Sequence, residues 1–264
     1  MFKEKIALVT GGVGGLGLEY VKTLLQRGIH GVSIVDINSE HGKEVEENLN
    51  KEYGSNKVIF LEADVSQKDQ LKSAFEASFK HWNGLDIVIN NAGIMNEQNW
   101  EKTISVNCGG IVYGTYLGFE YMGKLKGKKG GVVVNVSSVG GTESIPLLPV
   151  YSATKSFVIM FSRSVGSNFY YDHQHVKMLT VCPGPTDTPI LSCILQTANE
   201  FSPTLHSIAK PSAAKIKPQC TTHVANCVID LIGTAENGSV WVIEQNLPSY
   251  EIYEYQRDDV RKKP

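Results

Sequence analysis

The sequence predicts an α/β fold in which one doubly wound parallel sheet of about seven strands carries helices on both faces. Short apolar runs alternate with longer segments of helical periodicity, as expected for right-handed βαβ units. Runs such as Ile87–Ile89 and Val132–Val134 contain only Val and Ile, which is typical of strands buried on both faces. The 264 residues contain no linker and no internal repeat. We therefore expect a single domain over residues 1–264.

Strands and helices follow from these patterns in chain order, because apolar runs of about four to eight residues predict strands and longer periodic segments predict helices. The predicted strands are Ile6–Thr10, Gly31–Asp36, Lys57–Glu62, Leu85–Asn90, Gly131–Ser137, Val176–Val181 and Val240–Ile243. The predicted helices are Leu16–Arg27, Glu40–Tyr53, Gln67–Lys80, Trp100–Met122, Val150–Phe169 and Thr221–Ile232. The alternation stops at residues 183–218, which are rich in Pro. A loop of that length in a compact domain is usually a lid or a binding loop.

Charge and cysteine content exclude several classes of protein. The 25 basic and 27 acidic residues give a net charge of −2, whereas proteins that bind nucleic-acid backbones usually carry a basic excess. No apolar run reaches the roughly 18 residues that a membrane span requires. The five Cys residues include no CxxC pair, so we expect free thiols, a cytoplasmic protein and no metal site.

A glycine-rich turn, Thr10–Gly17, connects the first predicted strand to the first helix and fits both GxGxxG and TGxxxGxG. Glycine permits positive φ angles there and lets backbone N–H groups approach a pyrophosphate at the helix N-terminus. A merely flexible turn is the alternative, but the strand–turn–helix context favours a Rossmann-like dinucleotide site. Its candidate cofactor-binding residues are Gly11, Gly12, Gly15, Leu16 and Gly17.

Asp36 ends the second predicted strand, at the place where dinucleotide-binding units carry a carboxylate for the adenine ribose hydroxyls. Such a carboxylate repels the 2′-phosphate of NADP, and no Arg or Lys occurs at positions 12–16 or 37–39 to offset the repulsion. We therefore expect NAD as the cofactor, with Asp36 and Ile37 at its adenosine end. The alternative is that Asp36 belongs to the N-terminus of the next helix.

Polar residues also follow the third and fourth predicted strands. Asp64 and Val65 come after the third strand, and Asn91-Ala92-Gly93 comes after the fourth. Ligands of open α/β sheets lie beyond the carboxyl ends of the strands, so both segments are expected on the cofactor side. Asp64 has a second interpretation, because Asp is also a frequent cap of the following helix.

Tyr151 and Lys155 are four residues apart at the start of an apolar helix, so the phenol and the ammonium share one helical face. Ser138 ends the fifth predicted strand, and the two segments can converge at the same sheet edge. With its ordinary pKa near 10, a phenol is a poor base at pH 7. The Lys155 ammonium and the cationic nicotinamide would both favour the phenolate. One charge at about 4 Å in an effective dielectric of about 20 contributes roughly 4 kcal/mol as an upper guide, which would bring the pKa of Tyr151 near 7.

With these motifs in this order, the sequence resembles the short-chain dehydrogenases/reductases over about residues 5–243. The matching features are the TGxxxGxG turn, Asp64, Asn90–Gly93, Asn107, Ser138, Tyr151-x3-Lys155 and Pro183-Gly184. Within that family, Asn96–Thr103 and Gly114–Gly118 resemble NAD-dependent 15-hydroxyprostaglandin dehydrogenases. Gly130–Asn135 and Val181–Gly184 are equally similar to insect alcohol and photoreceptor retinol dehydrogenases.

The resemblance implies hydride transfer between an alcohol and a nicotinamide, with Asn107, Ser138, Tyr151 and Lys155 as the catalytic set. Asn107 would hold a water that passes the proton outward. Thr186 and Thr188 would lie near the nicotinamide carboxamide, although position 186 commonly carries an aliphatic residue in the family. The cofactor-binding residues that the resemblance implies are Asp64, Val65, Asn91, Ala92, Gly93, Tyr151, Lys155, Pro183, Gly184, Thr186 and Thr188.

Apolar residues around the predicted site suggest a lipophilic substrate. Leu148 stands where prostaglandin dehydrogenases typically carry Gln, so Ser138 and Tyr151 would orient the reacting oxygen unaided; these three are the predicted substrate-binding residues. We expect a secondary or allylic alcohol with a bulky apolar body, such as a retinoid-, terpenoid-, steroid- or eicosanoid-like compound. The alternative is a non-catalytic dinucleotide- or lipid-binding protein on the same fold. The predicted lid contributes Ile190, Leu191, Ile194, Leu195 and Phe201.

Two helical segments, Tyr113–Met122 and Phe157–Phe161, are apolar over most of their circumference. A helix without a polar face is normally buried on both sides, against the rest of its chain or against another subunit. We therefore expect a homodimer or a homotetramer that associates through these two helices.

Overall fold

The computed structural model describes residues 2–191, 202–204, 207, 208, 211 and 217–254. These residues form one eight-stranded sheet in the order β3-β2-β1-β4-β5-β6-β7-β8. The first seven strands are parallel, and β8 pairs antiparallel with β7. The predicted fold class is confirmed, with one more strand than the sequence suggests. The strands are β1 Ile6–Thr10, β2 Gly31–Asp36, β3 Val58–Glu62, β4 Ile87–Asn90, β5 Gly131–Val136, β6 Val176–Pro183, β7 Val240–Ile243 and β8 Tyr250–Glu251.

Helices cover both faces of this sheet. One face packs against α1, α2 and α8, and the other packs against α3, α5 and α6. Short 3-10 helices at Lys124–Lys126 and Val139–Gly141 flank β5. The α-helices are α1 Gly15–Gln26, α2 Ser39–Tyr53, α3 Lys68–Trp82, α4 Trp100–Ile104, α5 Gly110–Met122, α6 Pro149–Val165, α7 Asn168–Gln174 and α8 Thr221–Thr234.

Two helices that the sequence predicts as continuous are divided in the structure. The predicted helix Trp100–Met122 contains a π-helical segment at Ser105–Gly109, and such segments often occur at functional sites. The predicted helix Val150–Phe169 ends at Val165, where Gly166 is the C-cap, and α7 begins at Asn168. The strand β8 has only two residues, which are too few for a sequence periodicity to predict it.

The carboxyl ends of the parallel strands meet at one edge, where the site is expected. After β3 the chain crosses to β4, which lies on the other side of β1. Such a change of direction opens a crevice between the loops that follow the two central strands. The loops after β1, β4, β5 and β6 therefore face one another across this crevice.

Candidate active site

The crevice contains a cavity of about 370 Å³, built from the loops after β1, β4, β5 and β6. Most of the site residues predicted from the sequence lie on its wall. Of these, the cavity is lined by Gly11, Gly15, Leu16, Asp36, Asn91, Ala92, Gly93, Ser138, Leu148, Tyr151, Lys155, Pro183, Gly184, Thr186 and Thr188. Among the described residues, the lining leaves out six predicted site residues, which are Gly12, Gly17, Ile37, Asp64, Val65 and Asn107.

The glycine-rich turn is shaped by close contacts with β4. Gly11 and Gly15 have φ angles of 65° and 51°, which L side chains rarely adopt. The Asn91 side-chain amide donates to the carbonyls of Thr10 and Gly11 at 3.0 and 3.2 Å. A Cβ at Gly17 would collide with the Gly11 carbonyl. Gly17 thus packs against the Gly11 carbonyl and does not line the cavity.

Asp36 joins this turn to the end of β2. One carboxylate oxygen accepts from the Val13 N–H at 3.4 Å, and the other accepts from the Asn38 N–H at 3.1 Å. The cap of α2 is Asn38, whose side chain accepts from the His41 N–H, so the alternative in which Asp36 serves the helix N-terminus does not describe the structure. Ile37 is exposed and does not line the cavity.

Asp64 does not line the cavity, and its part in cofactor binding stays a prediction. Its carboxylate accepts from the Lys102 ammonium at 2.7 Å and from the Ser66 hydroxyl at 2.7 Å. Partial burial opposes ionisation, but the hydrogen bonds from Lys102 and Ser66 outweigh it and hold the pKa of Asp64 below its ordinary value. The N-cap residue of α3 is Gln67. Val65 packs in the core against Gly110.

Ser138, Tyr151 and Lys155 converge on the cavity from two elements. Ser138 follows β5 and caps the short 3-10 helix Val139–Gly141. Its Oγ accepts from the Gly140 N–H at 3.1 Å. Tyr151 and Lys155 lie on the first turns of α6, where both are buried. The Lys155 Nζ donates to the Val136 carbonyl at 3.0 Å and lies 5.7 Å from the centre of the Tyr151 ring.

The electrostatics of this group differ from the sequence-based expectation. Burial raises the pKa of Tyr151 above its ordinary value, and a hydrogen bond with Ser138 opposes that rise only in part. Burial also lowers the pKa of Lys155 to about 8. The expected shift of the Tyr151 pKa towards 7, which relies on the cationic nicotinamide as well as on Lys155, stays a prediction for the protein with its cofactor bound. It assumed a charge at about 4 Å in a well-screened medium, whereas loss of hydration dominates at this buried position.

Asn107 stands behind the cavity, in the π-helical segment. Its side-chain amide donates to the Ile94 carbonyl at 2.9 Å and to the Thr154 Oγ1 at 3.0 Å, and its Oδ1 accepts from the Ile94 N–H at 2.8 Å. These contacts tie the loop after β4 to helix α6. The side chain therefore connects the two walls of the site.

The loop after β6 is anchored by a residue that the sequence analysis missed. Gln219 is buried, and its side-chain amide donates to the Thr186 Oγ1 at 3.2 Å and to the Ile243 carbonyl at 2.7 Å. The Thr188 hydroxyl donates to the Thr186 carbonyl at 3.2 Å. Gln219 lies beyond the irregular segment and outside any motif, so no local pattern marks it.

One end of the cavity is apolar. Leu148, which is 1% exposed, faces it together with Ile145, Val139 and Met95. Ile190 and Leu191, from the start of the predicted lid, also line it. The other predicted lid residues, Ile194, Leu195 and Phe201, lie outside the described residues.

Comparison with known proteins agrees with this geometry. Residues 5–199 match the family model of the short chain dehydrogenases. The chain belongs to this family. Rat (Rattus norvegicus) 15-hydroxyprostaglandin dehydrogenase (NAD+) is 35% identical over 90% of the chain and 90% of the relative. Alcohol dehydrogenase 1 of the fly Ceratitis cosyra is 32% identical over 91% of the chain and 92% of the relative.

Solved structures of family members share the fold. Levodione reductase has a TM-score of 0.77 at 23% identity, over 93% of this chain and 97% of the other. A short chain dehydrogenase/reductase from Burkholderia phymatum, solved in complex with NAD, has a TM-score of 0.77 at 19% identity and covers 92% and 89% of the two chains. The predicted resemblance to the family is thereby confirmed, including its hydroxyprostaglandin and insect alcohol dehydrogenase members.

Two features are absent from the residues that the structure describes. None of the helices in this part of the chain has the length and apolar character needed to cross a membrane. Within the same residues, no group of three or more His, Cys, Asp or Glu side chains is arranged to hold a metal ion.

Proposed function

We propose that this short-chain dehydrogenase is an NAD-dependent oxidoreductase that interconverts a lipophilic secondary or allylic alcohol and its carbonyl compound. The observation that carries the proposal is the convergence of Ser138, Tyr151 and Lys155 on one cavity that the glycine-rich turn also lines. A protein that only binds a dinucleotide or a lipid has no need of all three groups at this place.

The residues around the turn fit NAD. Gly11 and Gly15 have left-handed conformations and no side chains, so the backbone at these two positions can approach a pyrophosphate. The Asp36 carboxylate at the end of β2 lines the same cavity and can accept from ribose hydroxyls. When bound, the nicotinamide supplies the hydride acceptor for alcohol oxidation. NAD(+) also appears in the names of the curated hydroxyprostaglandin dehydrogenases.

In the proposed mechanism, Ser138 and Tyr151 hold the substrate oxygen. In the oxidative direction the phenolate of Tyr151 accepts the hydroxyl proton as hydride leaves the carbinol carbon, and in the reductive direction the phenol returns that proton. Lys155 favours the phenolate through its charge. The proposed role of Asn107 as holder of a proton-relay water rests on family analogy. In the structure its side-chain amide donates to the Ile94 carbonyl and to the Thr154 Oγ1.

The apolar end of the cavity supports the choice of substrate. Leu148 presents hydrocarbon where a Gln side chain would present a hydrogen-bonding group, and Ile145, Ile190 and Leu191 also line the cavity. Burial contributes about 25 cal/mol per Å² of apolar surface, so a large alkyl or isoprenoid body gains several kcal/mol and ethanol gains little. We therefore propose that kcat/KM increases with the apolar size of the alcohol.

The experiment that tests the proposal follows NADH fluorescence with a panel of secondary and allylic alcohols of increasing size. Tyr151→Phe is the control that removes the proton-accepting oxygen. NADH formation by the unmodified enzyme, lost in the variant, supports an oxidoreductase. Normal NAD binding without turnover of any alcohol would favour the binding-protein alternative, and a kcat/KM maximum at two or three carbons would contradict the lipophilic substrate.

We further propose a cytoplasmic homodimer or homotetramer that associates through α5 and α6. Tyr116, Phe157 and Met160 are exposed on these helices. Tyr116 contacts Phe161 edge to face, and Phe157 stacks on Phe161. An exposed apolar patch of this kind is typical of a protein–protein contact. Sedimentation of the full chain at micromolar concentration checks it: we expect a mass of at least two chains, and the monomer mass of 29.0 kDa would contradict the proposal.

A further inference from the structure

A buried carboxylate lies behind the active site, in the loop after β4. Glu97 is 2% exposed, and in the described part of the chain the other buried charged side chain is Lys155, at 5%. Removing a carboxylate from water is costly unless hydrogen bonds compensate it. The partners of Glu97 therefore indicate what the carboxylate does.

Both oxygens of Glu97 bind the first turn of α6. Its Oε2 accepts from the Val150 N–H at 3.0 Å, and its Oε1 accepts from the Tyr151 N–H at 2.9 Å. Helix α6 begins at Pro149, which has no N–H, and the residue in the cap position is Leu148, which has no side-chain acceptor. Glu97 thus replaces the missing cap from a distant part of the chain and places a negative charge at the positive end of the helix.

The backbone of Tyr151 is also held at its carbonyl. The Thr154 Oγ1 donates to this carbonyl at 2.7 Å and accepts from the Asn107 side chain at 3.0 Å. Asn107 binds Ile94 through both backbone groups, three residues before Glu97. One chain of hydrogen bonds therefore leads from Asn107 through Thr154 to the Tyr151 carbonyl, and Glu97 contacts the Tyr151 N–H from the loop that Asn107 also holds.

We propose that Glu97 is a positioning residue for the reaction. By fixing the amides of Val150 and Tyr151, it sets where the phenol lies relative to the Ser138 hydroxyl. This inference rests on the proposed function, because it assigns to Glu97 the geometry of the proton-accepting group. A displacement of about 1 Å in a catalytic group can reduce the rate by up to about a hundredfold.

Glu97→Gln tests the inference, and Glu101→Gln is its matched control because Glu101 is exposed one turn further along the chain. Glutamine has the same size, but it keeps one acceptor and turns an NH2 group towards a backbone donor. Hydrogen–deuterium exchange of the peptide over residues 148–152 should become faster in Glu97→Gln alone. With NAD and an alcohol that the wild type turns over, kcat should fall about tenfold while KM for NAD stays unchanged. The isotope effect on kcat with an alcohol deuterated at its carbinol carbon should rise.

The outcomes separate this inference from the proposed function. A wild type that oxidises no alcohol would overturn the proposed function and the inference with it. An active wild type whose Glu97→Gln variant retains the kcat and isotope effect of Glu101→Gln would overturn the positioning role alone, even if the variant unfolds at a lower temperature. If Glu97→Gln does not fold, Glu97→Asp keeps the charge on a shorter stem. Its kcat should be reduced, and a wild-type kcat would overturn the inference.

Discussion

The two ends of the cleft are formed by different parts of the protein, one mainly by backbone and the other mainly by side chains. At the adenosine end, the glycine-rich turn presents backbone, braced by Asn91 and by the carboxylate of Asp36. At the catalytic end, Ser138, Tyr151 and Lys155 present side chains, and α6 is held by Glu97 from outside the helix. Hydrogen bonds hold both ends, but close backbone packing also shapes the first, whereas buried side chains form the second. A substitution at the first end should change binding, and one at the second should change the rate.

The largest effect is expected at the catalytic end. Tyr151→Phe removes the phenol oxygen and leaves the ring, so we expect kcat to fall by about 10³-fold, within the range of general acid–base catalysis. NAD affinity, measured by titration, should remain close to that of the wild type. A variant with more than a tenth of the wild-type kcat would show that another group accepts the proton.

At the adenosine end, Gly17→Ala should weaken the cradle without touching the catalytic groups. The added Cβ would collide with the Gly11 carbonyl, and overpacking of this kind typically costs about 1–3 kcal/mol. We expect a lower free energy of unfolding and weaker NAD binding, measured by urea denaturation and titration. Gly84→Ala is the control, because its Cβ would meet no described atom within 4 Å. Equal losses in both variants would contradict the steric explanation.

A smaller change should alter the choice of cofactor. Replacing Asp36 by Ala and Ile37 by Arg removes the carboxylate that repels a 2′-phosphate and adds a cation at an exposed position. We expect the ratio of kcat/KM for NAD to that for NADP to shift towards NADP by about tenfold or more, which corresponds to roughly 1.4 kcal/mol. Equal efficiency with both cofactors in the unmodified enzyme would contradict the assigned role of Asp36.

The last effect concerns the change of stability with pH. Burial lowers the pKa of Lys155 from 10.5 to about 8, so between these pH values the unfolded chain binds one proton more than the folded chain. This residue should therefore make stability rise with pH across the window, by at most about 1.4 kcal/mol per pH unit. Urea denaturation of wild type and Lys155→Met at pH 7, 8.5 and 10 isolates the contribution. Parallel curves for the two proteins would contradict it.

The same contrast explains what could be predicted. β1, β2 and β7 have the bounds that the apolar runs predict, because a strand buried on both faces leaves its pattern in consecutive residues. The glycine-rich turn is equally local. The contact of Glu97 with Tyr151 joins segments 54 positions apart, and a single Glu in a loop carries no signal of it. The ion pair between Lys102 and Asp64 could not be predicted for the same reason, because the two side chains are close only in the folded chain.

Thr186 and Gln219 form a β-bridge, and their side chains are hydrogen-bonded beside β7. The bridge holds the two ends, or stems, of the intervening segment together, whatever residues lie between them. Loop-closure entropy grows slowly, by about 0.6 kcal/mol for each doubling of length. Insertions and deletions between these stems can therefore accumulate at little cost to the glycine-rich turn or to α6. Evolution can thus vary the length of this segment while Ser138, Tyr151 and Lys155 keep their places.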